Sequence, residues 1–337
     1  MLKSPILFTL LIITLLLQSS CAQKAYKMAF YNVENLFDTI DDPKTKDEEF
    51  TPTGKKKWDA ERYQAKLDNI AKVLDSLGSP EMFGLVEVEN KQVLEDLVTK
   101  TTLNRDEYGI IHRDSPDFRG IDVAFVYKQK HFKVLEMDFI TINFPVEIVE
   151  DYTTREILYV KGKVGKKEEL HVFVNHWPSR RGGLAKSEPK RIYVAQQLKK
   201  AVDKILAEDE NANIVIMGDF NDEPNNKSIK ETLGALPGNS PLVSKSLYNY
   251  FYSFDKDEKG SYNYRGNWNM LDQFIVSTAL KDAKGLQAKN PVIFRAPWLM
   301  YKSKKNGETP SRTYGGPNYY GGYSDHLPIL IELVWNK

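Results

Sequence analysis

The feature that most constrains this chain is a set of short apolar runs, each bordered by carboxylate, amide or imidazole side chains. Five runs are strand-like, and a sixth carries an aspartate beside its apolar residues. Strand ends can present side chains to one cleft while the strands stay packed, so the shared placement indicates a rigid scaffold with one functional edge. The bordering residues are Asn32, Glu34, Glu87, Asn175, His176, Asp219, Asn221, Asp272, Asp325 and His326.

The run "NIVIMGDFND" illustrates the pattern. Its four apolar residues, 214–217, predict a buried strand, and a glycine lets the backbone leave the core tightly. Asp219 and Asn221 are two residues apart, so on an extended backbone both side chains point to one face while Phe220 turns back toward the packing. We therefore expect both polar side chains to face a cleft.

Helical patterns alternate with these runs along the chain. Apolar residues recur at helical spacing from Trp58 to Leu77, and further helices are expected at about 91–103 and 188–206. The alternation predicts one α/β or α+β domain over residues 23–337. Residues 302–323, rich in glycine and tyrosine, are expected to form a functional loop at the rim of a site.

The N-terminus reads as an export signal covering residues 1–22. Lys3 precedes a short apolar run, 6–17, which small and polar residues follow. One route is lipid modification of Cys21, which would anchor the protein at the outer membrane or cell surface. The other is cleavage after Ala22, which would release a secreted or periplasmic protein. A transmembrane anchor is a third alternative, although the run is short for a span.

Composition excludes several function classes. Cys21 is the only cysteine, so the mature domain has no disulfide framework, zinc–thiolate site or cysteine nucleophile. The HExxH helix of zinc proteases, the G-x-S-x-G turn of serine hydrolases and the Walker loop are all absent. Lys and Arg number 47 against 46 Asp and Glu, so a net charge of +1 gives no global sign of nucleic-acid binding.

The residues at the strand ends suit one chemistry. Carboxylate and amide oxygens are ligands for hard cations such as Mg²⁺ or Mn²⁺, and Ca²⁺ is an alternative as a structural ion. Two histidines can contact phosphate oxygens, and an aspartate bonded to one of them would favour its charged form. An Asp–Asn pair can orient an attacking water. The set therefore predicts metal-assisted hydrolysis of a phosphoester.

The same residues lie in motifs that resemble the endonuclease/exonuclease/phosphatase (DNase I-like) superfamily, in the form of a secreted bacterial member. The resemblance spans about residues 26–335 through "FYNVENLFD", "GLVEVEN", "RGIDVAFVYK", "VNHWPSRRGG", "MGDFND", "NMLDQFIVS" and "YSDHLPI". It implies a four-layered α/β sandwich in which two mixed β-sheets pack face to face with helices outside.

The resemblance also implies roles for individual residues. Four positions match the family's metal-site residues, with Glu87 as the principal ligand; they are Glu87, Asn32, Asp325 and, in an outer shell, Glu34. Five positions match its catalytic residues: His176, Asp219, Asn221, Asp272 and His326. Of these, Asp219 would orient or activate water, and Asp272 would pair with His326. The role of His326, as general base or as charged stabiliser, stays open.

Four arginines are candidates for holding the substrate phosphate, because a guanidinium group bonds phosphate through two parallel donors. Arg180 and Arg181 follow His176 closely in sequence. Arg119 lies in a motif-like loop, and Arg155 precedes a strand.

The substrate remains open between two classes. A nuclease is favoured by aromatic and basic loops at 262–269 and 311–323, which could stack bases and contact phosphates. A secreted phosphatase or phosphodiesterase acting on small or lipid phosphoesters is the alternative. A non-catalytic binding module would have lost its catalytic positions, and the central ones are all present. No protein partner is indicated, and we expect a monomer.

Overall fold

The structure of the protein is a computed structural model that describes residues 25–165, 168–257 and 259–335. The expected export signal, including Cys21, lies outside the described residues. Two large mixed β-sheets pack against each other, with helices on their outer faces. The predicted fold class is therefore confirmed.

The first sheet has six strands. They are β1 (Ala25–Leu36), β2 (Met82–Val88), β3 (Tyr108–His112), β4 (Asp122–Lys128), β14 (Leu286–Ile293) and β19 (Ile329–Trp335). Their spatial order is β14-β19-β1-β2-β4-β3. Strands β1 and β2 are parallel, and the other neighbours are antiparallel.

The second sheet has seven strands. They are β5 (Phe132–Ile140), β6 (Ile157–Val164), β7 (Glu168–His176), β8 (Ile214–Asp219), β9 (Ala235–Pro237), β10 (Leu247–Asn249) and β13 (Asp272–Ser277). Their order is β5-β6-β7-β8-β13-β10-β9, with β7 parallel to β8 and β9 parallel to β10. Every residue of β8 and β13 is buried, as continuous apolar runs in a central strand require.

The described residues form three longer α-helices and a short one: α1 (Ala60–Ser76), α2 (Lys91–Thr99), α3 (Leu184–Glu208) and α4 (Tyr252–Lys256). A π-helical segment covers Ser228–Leu233. Helices α1 and α2 pack on the outer face of the first sheet, and α3 packs on that of the second. The side chain of Asp59 caps α1, and that of Asn90 caps α2. Helix α3 begins four residues earlier than expected and accommodates Pro189 in its second turn.

Small hairpins lie beside the sheets: β11 (Tyr262–Tyr264) with β12 (Asn267–Asn269), β15 (Met300–Ser303) with β16 (Gly307–Pro310), and β17 (Tyr314–Gly315) with β18 (Asn318–Tyr319). Residues 302–323, expected to form a loop, contain parts of two of these hairpins, which order much of the segment. Within the described ranges, none of the helices has the length and apolar character needed to cross a membrane.

The core between the sheets is densely filled at Gly84 of β2. A Cβ added there would lie 3.1 Å from Met217 Sδ, 3.1 Å from Phe30 Cδ2 and 3.1 Å from Val174 Cγ1. Met217 and Val174 belong to the second sheet, so the missing side chain lets the two sheets approach. Protein interiors are close-packed, and such a position has little room for added volume.

We expect Gly84→Val to lower the free energy of unfolding by about 1–3 kcal/mol, because its methyl groups overfill this contact. Urea denaturation followed by circular dichroism measures the loss. Gly84→Ala should cost less than Gly84→Val, and Leu135→Val, at an exposed position of β5, should change little. Equal stability of Gly84→Val and wild type would contradict the tight packing described above.

Candidate active site

The site lies where strand ends of both sheets meet. The parallel pair β7 and β8 places His176 opposite Asp219, and antiparallel β13 places Asp272 opposite Asp219 on its other side. From the first sheet, the Asn32 amide reaches across and donates to Asp219 Oδ2 at 3.0 Å. Residues distant in sequence therefore converge on one aspartate.

A cleft of about 600 Å³ opens over these strand ends. Nine of the residues predicted from the sequence line it: Glu87, Arg119, His176, Arg180, Arg181, Asp219, Asn221, Asp325 and His326. Asn32 and Asp272 are buried next to the lining and contact it through Asp219 and His326. Glu34 and Arg155 do not line the cleft.

Asp219 occupies the centre of the site and is only 2% exposed. Its Oδ2 lies 3.8 Å from His176 Nε2 and 3.8 Å from His326 Nε2, so the two imidazoles flank one carboxylate oxygen. Its Oδ1 accepts a hydrogen bond from the Asn221 backbone N–H at 2.9 Å. Burial raises the pKa of Asp219 to about 6, against the lowering effect of His326.

Asn221 lines the cleft together with Asp219, as predicted, but for a different reason. Strand β8 ends at Asp219, and Asn221 has a φ of 50°, in the left-handed region that asparagine tolerates. Its side-chain amide donates to the Trp177 carbonyl at 3.0 Å. A tight turn, instead of strand alternation, brings the two side chains to one cleft.

His326 is held in a buried pair with Asp272. Its Nδ1 lies 2.7 Å from Asp272 Oδ2, and the Tyr262 ring packs on the imidazole with centroids 4.8 Å apart. Burial alone would lower the pKa of His326, but the carboxylates of Asp272 and Asp219 outweigh it and raise that pKa well above the ordinary value. The imidazole therefore carries a proton at neutral pH.

His176 has the opposite electrostatic environment. Burial, together with the positive charges of Arg155 and Arg119, lowers the pKa of His176 well below its ordinary value. The site thus presents a neutral imidazole and a charged one on either side of Asp219. Two identical side chains with different charge states can perform different tasks.

Glu87 lines the cleft, and its carboxylate is held in place by a backbone N–H. The residue has a φ of 62°, and its Oε2 accepts a hydrogen bond from Asn35 N–H at 3.1 Å. Its Oε1 lies 3.9 Å from His176 Nε2. Five carboxylates crowd this region: Glu34, Glu87, Asp219, Asp272 and Asp325. Their oxygens suit a hard divalent cation, which would offset the excess of negative charge.

Glu34 lies behind the cleft and is tied to the segment that precedes β17. Its Oε2 accepts a hydrogen bond from the Thr313 backbone N–H at 2.7 Å. Arg312 lies 3.5 Å from Glu34 Oε1 and donates to Asp325 Oδ2 at 2.7 Å. Burial raises the pKa of Glu34 to about 7, with the Asp325 charge adding to the effect. Glu34 is therefore placed to orient its neighbours.

Two cations of this region were missed from the sequence. Lys66 of α1 is 1% exposed and donates to Thr313 Oγ1 at 2.6 Å and to the Tyr323 carbonyl at 2.8 Å. Lys66 lies on the apolar stripe of α1, one residue before Leu67. A lysine at an apolar position was the signal in the sequence that this side chain is buried. Arg312 lies in the aromatic and basic loop 311–323, but its contact with Glu34 spans 278 residues of chain and left no local signal.

The four predicted phosphate-binding arginines separate into two groups. Arg119, Arg180 and Arg181 line the cleft. Arg155 does not, and the prediction that it holds substrate phosphate disagrees with the structure. Its guanidinium is buried and donates to Asp117 Oδ2 at 2.9 Å and to the carbonyls of His176 and Trp177. Arg155 therefore supports the backbone that carries His176.

A second cavity of about 630 Å³ adjoins the cleft, and we name it the tyrosine groove. Its aromatic and basic lining consists of Tyr262, Tyr264, Tyr301, Tyr320, Arg265 and Arg312. The groove shares Tyr262, Tyr264 and Asp325 with the catalytic cleft, so the two form one continuous surface. Three of its rings, those of Tyr264, Tyr301 and Tyr320, are more than half exposed.

The sequence matches the Endonuclease/Exonuclease/phosphatase family over residues 27–335. The chain belongs to this family, whose members are phosphoester hydrolases that usually depend on a divalent metal. No curated protein matches the sequence significantly.

Solved structures share the fold at low sequence identity. D. rerio TDP2 complexed with a single strand DNA product has a TM-score of 0.54 at 16% identity, over 93% of this chain and 99% of that chain. The human Nocturnin catalytic domain with bound sulfate anion has a TM-score of 0.55 at 14% identity, over 93% and 95% of the two chains. A Bacteroides thetaiotaomicron mannosyl-6-phosphatase has a TM-score of 0.57 at 15% identity, over 92% and 99%.

We expect Asp272→Asn to lower the pKa of His326 toward its usual value of about 6.5, because the paired negative charge is lost. NMR titration of the imidazole measures this. The pair stabilises the wild type fully below the unfolded-state pKa and loses its contribution as pH rises through the raised folded-state pKa. The difference in the free energy of unfolding between wild type and Asp272→Asn should therefore become smaller at high pH. Asp257→Asn, at an exposed position, should leave the pKa of His326 unchanged; an unchanged value in Asp272→Asn would refute the pairing.

Proposed function

We propose that the protein is a metal-dependent phosphodiesterase that cleaves nucleic acid by in-line attack of an activated water. The observation that carries the proposal is the pair of imidazoles flanking buried Asp219 at the base of a cleft that continues into the tyrosine groove. Action outside the cytoplasm, as the N-terminal sequence suggests, is part of the proposal.

The residues of the cleft have different roles in hydrolysis, and the charge of each side chain determines its role. A divalent cation held by Glu87, Asn32 and Asp325 would polarise the phosphoryl group and neutralise developing charge. Mg²⁺ or Mn²⁺ fits this set of oxygen donors.

Asp219 is the best candidate for the general base. Its raised pKa gives it more proton affinity than an exposed aspartate while leaving it ionised at neutral pH. Asn221 N–H holds the far carboxylate oxygen, so the near oxygen, Oδ2, is aimed between the two histidines. A water bonded to Oδ2 would lie close to a phosphorus held by those imidazoles.

The two histidines contact the phosphoryl oxygens from opposite sides. Protonated His326 supplies a positive charge. This charge stabilises those oxygens more strongly as negative charge develops on them. Neutral His176 has one ring N–H available to the phosphate or to the leaving oxygen. Arg181, at the rim, extends the positive surface toward flanking phosphates. Arg180 lines the cleft too, but its guanidinium donates to the Asn221 carbonyl at 2.7 Å and to Asn226 Oδ1 at 3.0 Å, so it mainly holds the turn after β8.

The tyrosine groove supports a nucleic-acid substrate over a small phosphoester. Exposed tyrosine rings interleaved with arginines offer stacking platforms for bases and contacts for phosphates. A small phosphomonoester would fill the catalytic cleft and leave the groove without a function. The alternative, a phosphatase or phosphodiesterase for small or lipid phosphoesters, is an outcome of the following experiment.

We expect the wild type to nick supercoiled plasmid and degrade single-stranded oligonucleotides with Mg²⁺ or Mn²⁺, and to lose this activity in EDTA. Asp219→Asn should lower kcat by about 10²–10⁴-fold, since the general base is lost. Asp209→Asn, an acid on the surface beyond α3, is the matched control and should keep full activity. Turnover of chromogenic or lipid phosphoesters without cleavage of any nucleic acid would select the alternative function.

The groove generates a second prediction. Tyr301→Ala and Tyr320→Ala should each raise KM for an oligonucleotide about 5- to 150-fold, the loss expected for one base stacked on an aromatic ring. Hydrolysis of bis(p-nitrophenyl) phosphate, which is too small to reach these rings, should change little. Tyr301→Phe and Tyr320→Phe keep the ring and should restore the oligonucleotide KM. Equal loss on both substrates would argue against a stacking groove.

A further inference from the structure

A second cluster of metal-ligand side chains lies away from the catalytic residues, at the turn between β3 and β4. It consists of His112, the last residue of β3, Asp114 in the turn, and Asp122, the first residue of β4. One ligand atom from each residue lies within 4.8 Å of the other two. None of the three residues lines the catalytic cleft.

His112 lacks the hydrogen bonds that a buried imidazole normally makes. Its side chain is 1% exposed, and neither ring nitrogen forms a hydrogen bond within the described part of the chain. The nearest carboxylate oxygens are 3.8 Å away, Asp114 Oδ1 from Nδ1 and Asp122 Oδ2 from Nε2. These distances are too long for hydrogen bonds. A buried polar group without a protein partner is uncommon and needs a water, an ion or a ligand to satisfy it.

The state of the ring also suits metal binding. Because no donor or acceptor in the described residues engages either ring nitrogen, a lone pair of the imidazole is available to a cation. Asp122 is buried, and its Oδ1 is already held by the Ser115 backbone N–H at 3.0 Å. Its Oδ2 remains on the side of the histidine.

We infer that His112, Asp114 and Asp122 form a structural site for a first-row divalent cation, with Zn²⁺ as the best fit. Zn–N and Zn–O bonds of about 2.0–2.2 Å place tetrahedral ligands roughly 3.4 Å apart. Asp122 Oδ2 faces Nε2 whereas Asp114 Oδ1 faces Nδ1, and one cation binds only one of the two ring nitrogens. A cation at Nε2 therefore requires the Asp114 side chain, which is 80% exposed, to rotate from the Nδ1 side toward Asp122. An imidazole with two carboxylates favours Zn²⁺ over Mg²⁺ or Ca²⁺, which prefer oxygen ligands alone.

The cation would join both ends of residues 113–121. This segment carries Asp117, which holds Arg155, and Arg119, which lines the catalytic cleft. Zinc binding would therefore brace one wall of the cleft while making no contact with the scissile bond. The site and its effect on stability do not depend on which phosphoester the enzyme cleaves.

The test measures zinc bound by the full chain after removal of metals with a chelating resin. Equilibrium dialysis and elemental analysis in excess Mg²⁺ should find one Zn²⁺ that neither Mg²⁺ nor Ca²⁺ displaces. Glu87→Gln, which disables the catalytic metal site, should retain this ion. His112→Ala and Asp114→Asn should bind it at least about tenfold more weakly. Asp151→Asn, an exposed acid in another loop, should bind it like wild type.

Thermal unfolding provides a second readout. Added Zn²⁺ should raise Tm of wild type and of Glu87→Gln, and leave Tm of Asp114→Asn nearly unchanged. Asp114 is exposed, so we expect Asp114→Asn to fold. This variant therefore tests the zinc site even if His112→Ala does not fold. Loss of the retained zinc in Glu87→Gln, or its undiminished binding to Asp114→Asn, would overturn the site.

Discussion

The alignment of strand ends at one edge of the sandwich is the constraint on which the rest of the structure depends. The parallel pairs β1–β2 and β7–β8 each deliver residues at their carboxyl ends. Antiparallel neighbours β13 and β19 run the other way, so their contributions, Asp272 and His326, come at or just before their first residues. Strand direction therefore explains why some motifs follow their apolar run and others precede it.

The packing of the two sheets brings the residues at these strand ends into contact with each other. Asn32 from the first sheet and Asp219 from the second meet within hydrogen-bond distance only because the sheets approach closely at positions such as Gly84. Burial and neighbouring charges then shift the pKa values of the acids and bases held there. Burial raises the pKa of Asp219. The charges of Asp272 and Asp219 raise the pKa of His326, and burial together with two arginines lowers the pKa of His176. The fold thus sets the charge of each group before substrate arrives.

The secondary-structure elements and the polar residues at their ends could be predicted because both are encoded locally, and the sandwich was implied by the resemblance to a known family. Apolar runs and helical spacing identify elements, and the polar residues that border each run, such as Asp219 and His176, are visible in short motifs. The errors lie where the role of a residue depends on contacts with other segments of the chain. Arg155 was assigned to phosphate, whereas its partner Asp117 and two carbonyls occupy its guanidinium. The contacts of Lys66 with Thr313 and of Arg312 with Glu34 were missed because these partners lie more than two hundred residues apart in sequence.

The sequence by itself determined which chemical groups the protein has, in which order, and that strands and helices alternate, because hydrophobic periodicity and motif spacing are local properties. The two mixed sheets were implied by the resemblance of its motifs to a known family. The tertiary structure alone decided which groups touch, which are buried, and which are charged. Those properties depend on desolvation and on charges within a few ångströms in space, and distance along the chain does not report them. The tyrosine groove and the His112 cluster likewise exist only once distant or turning segments are brought together.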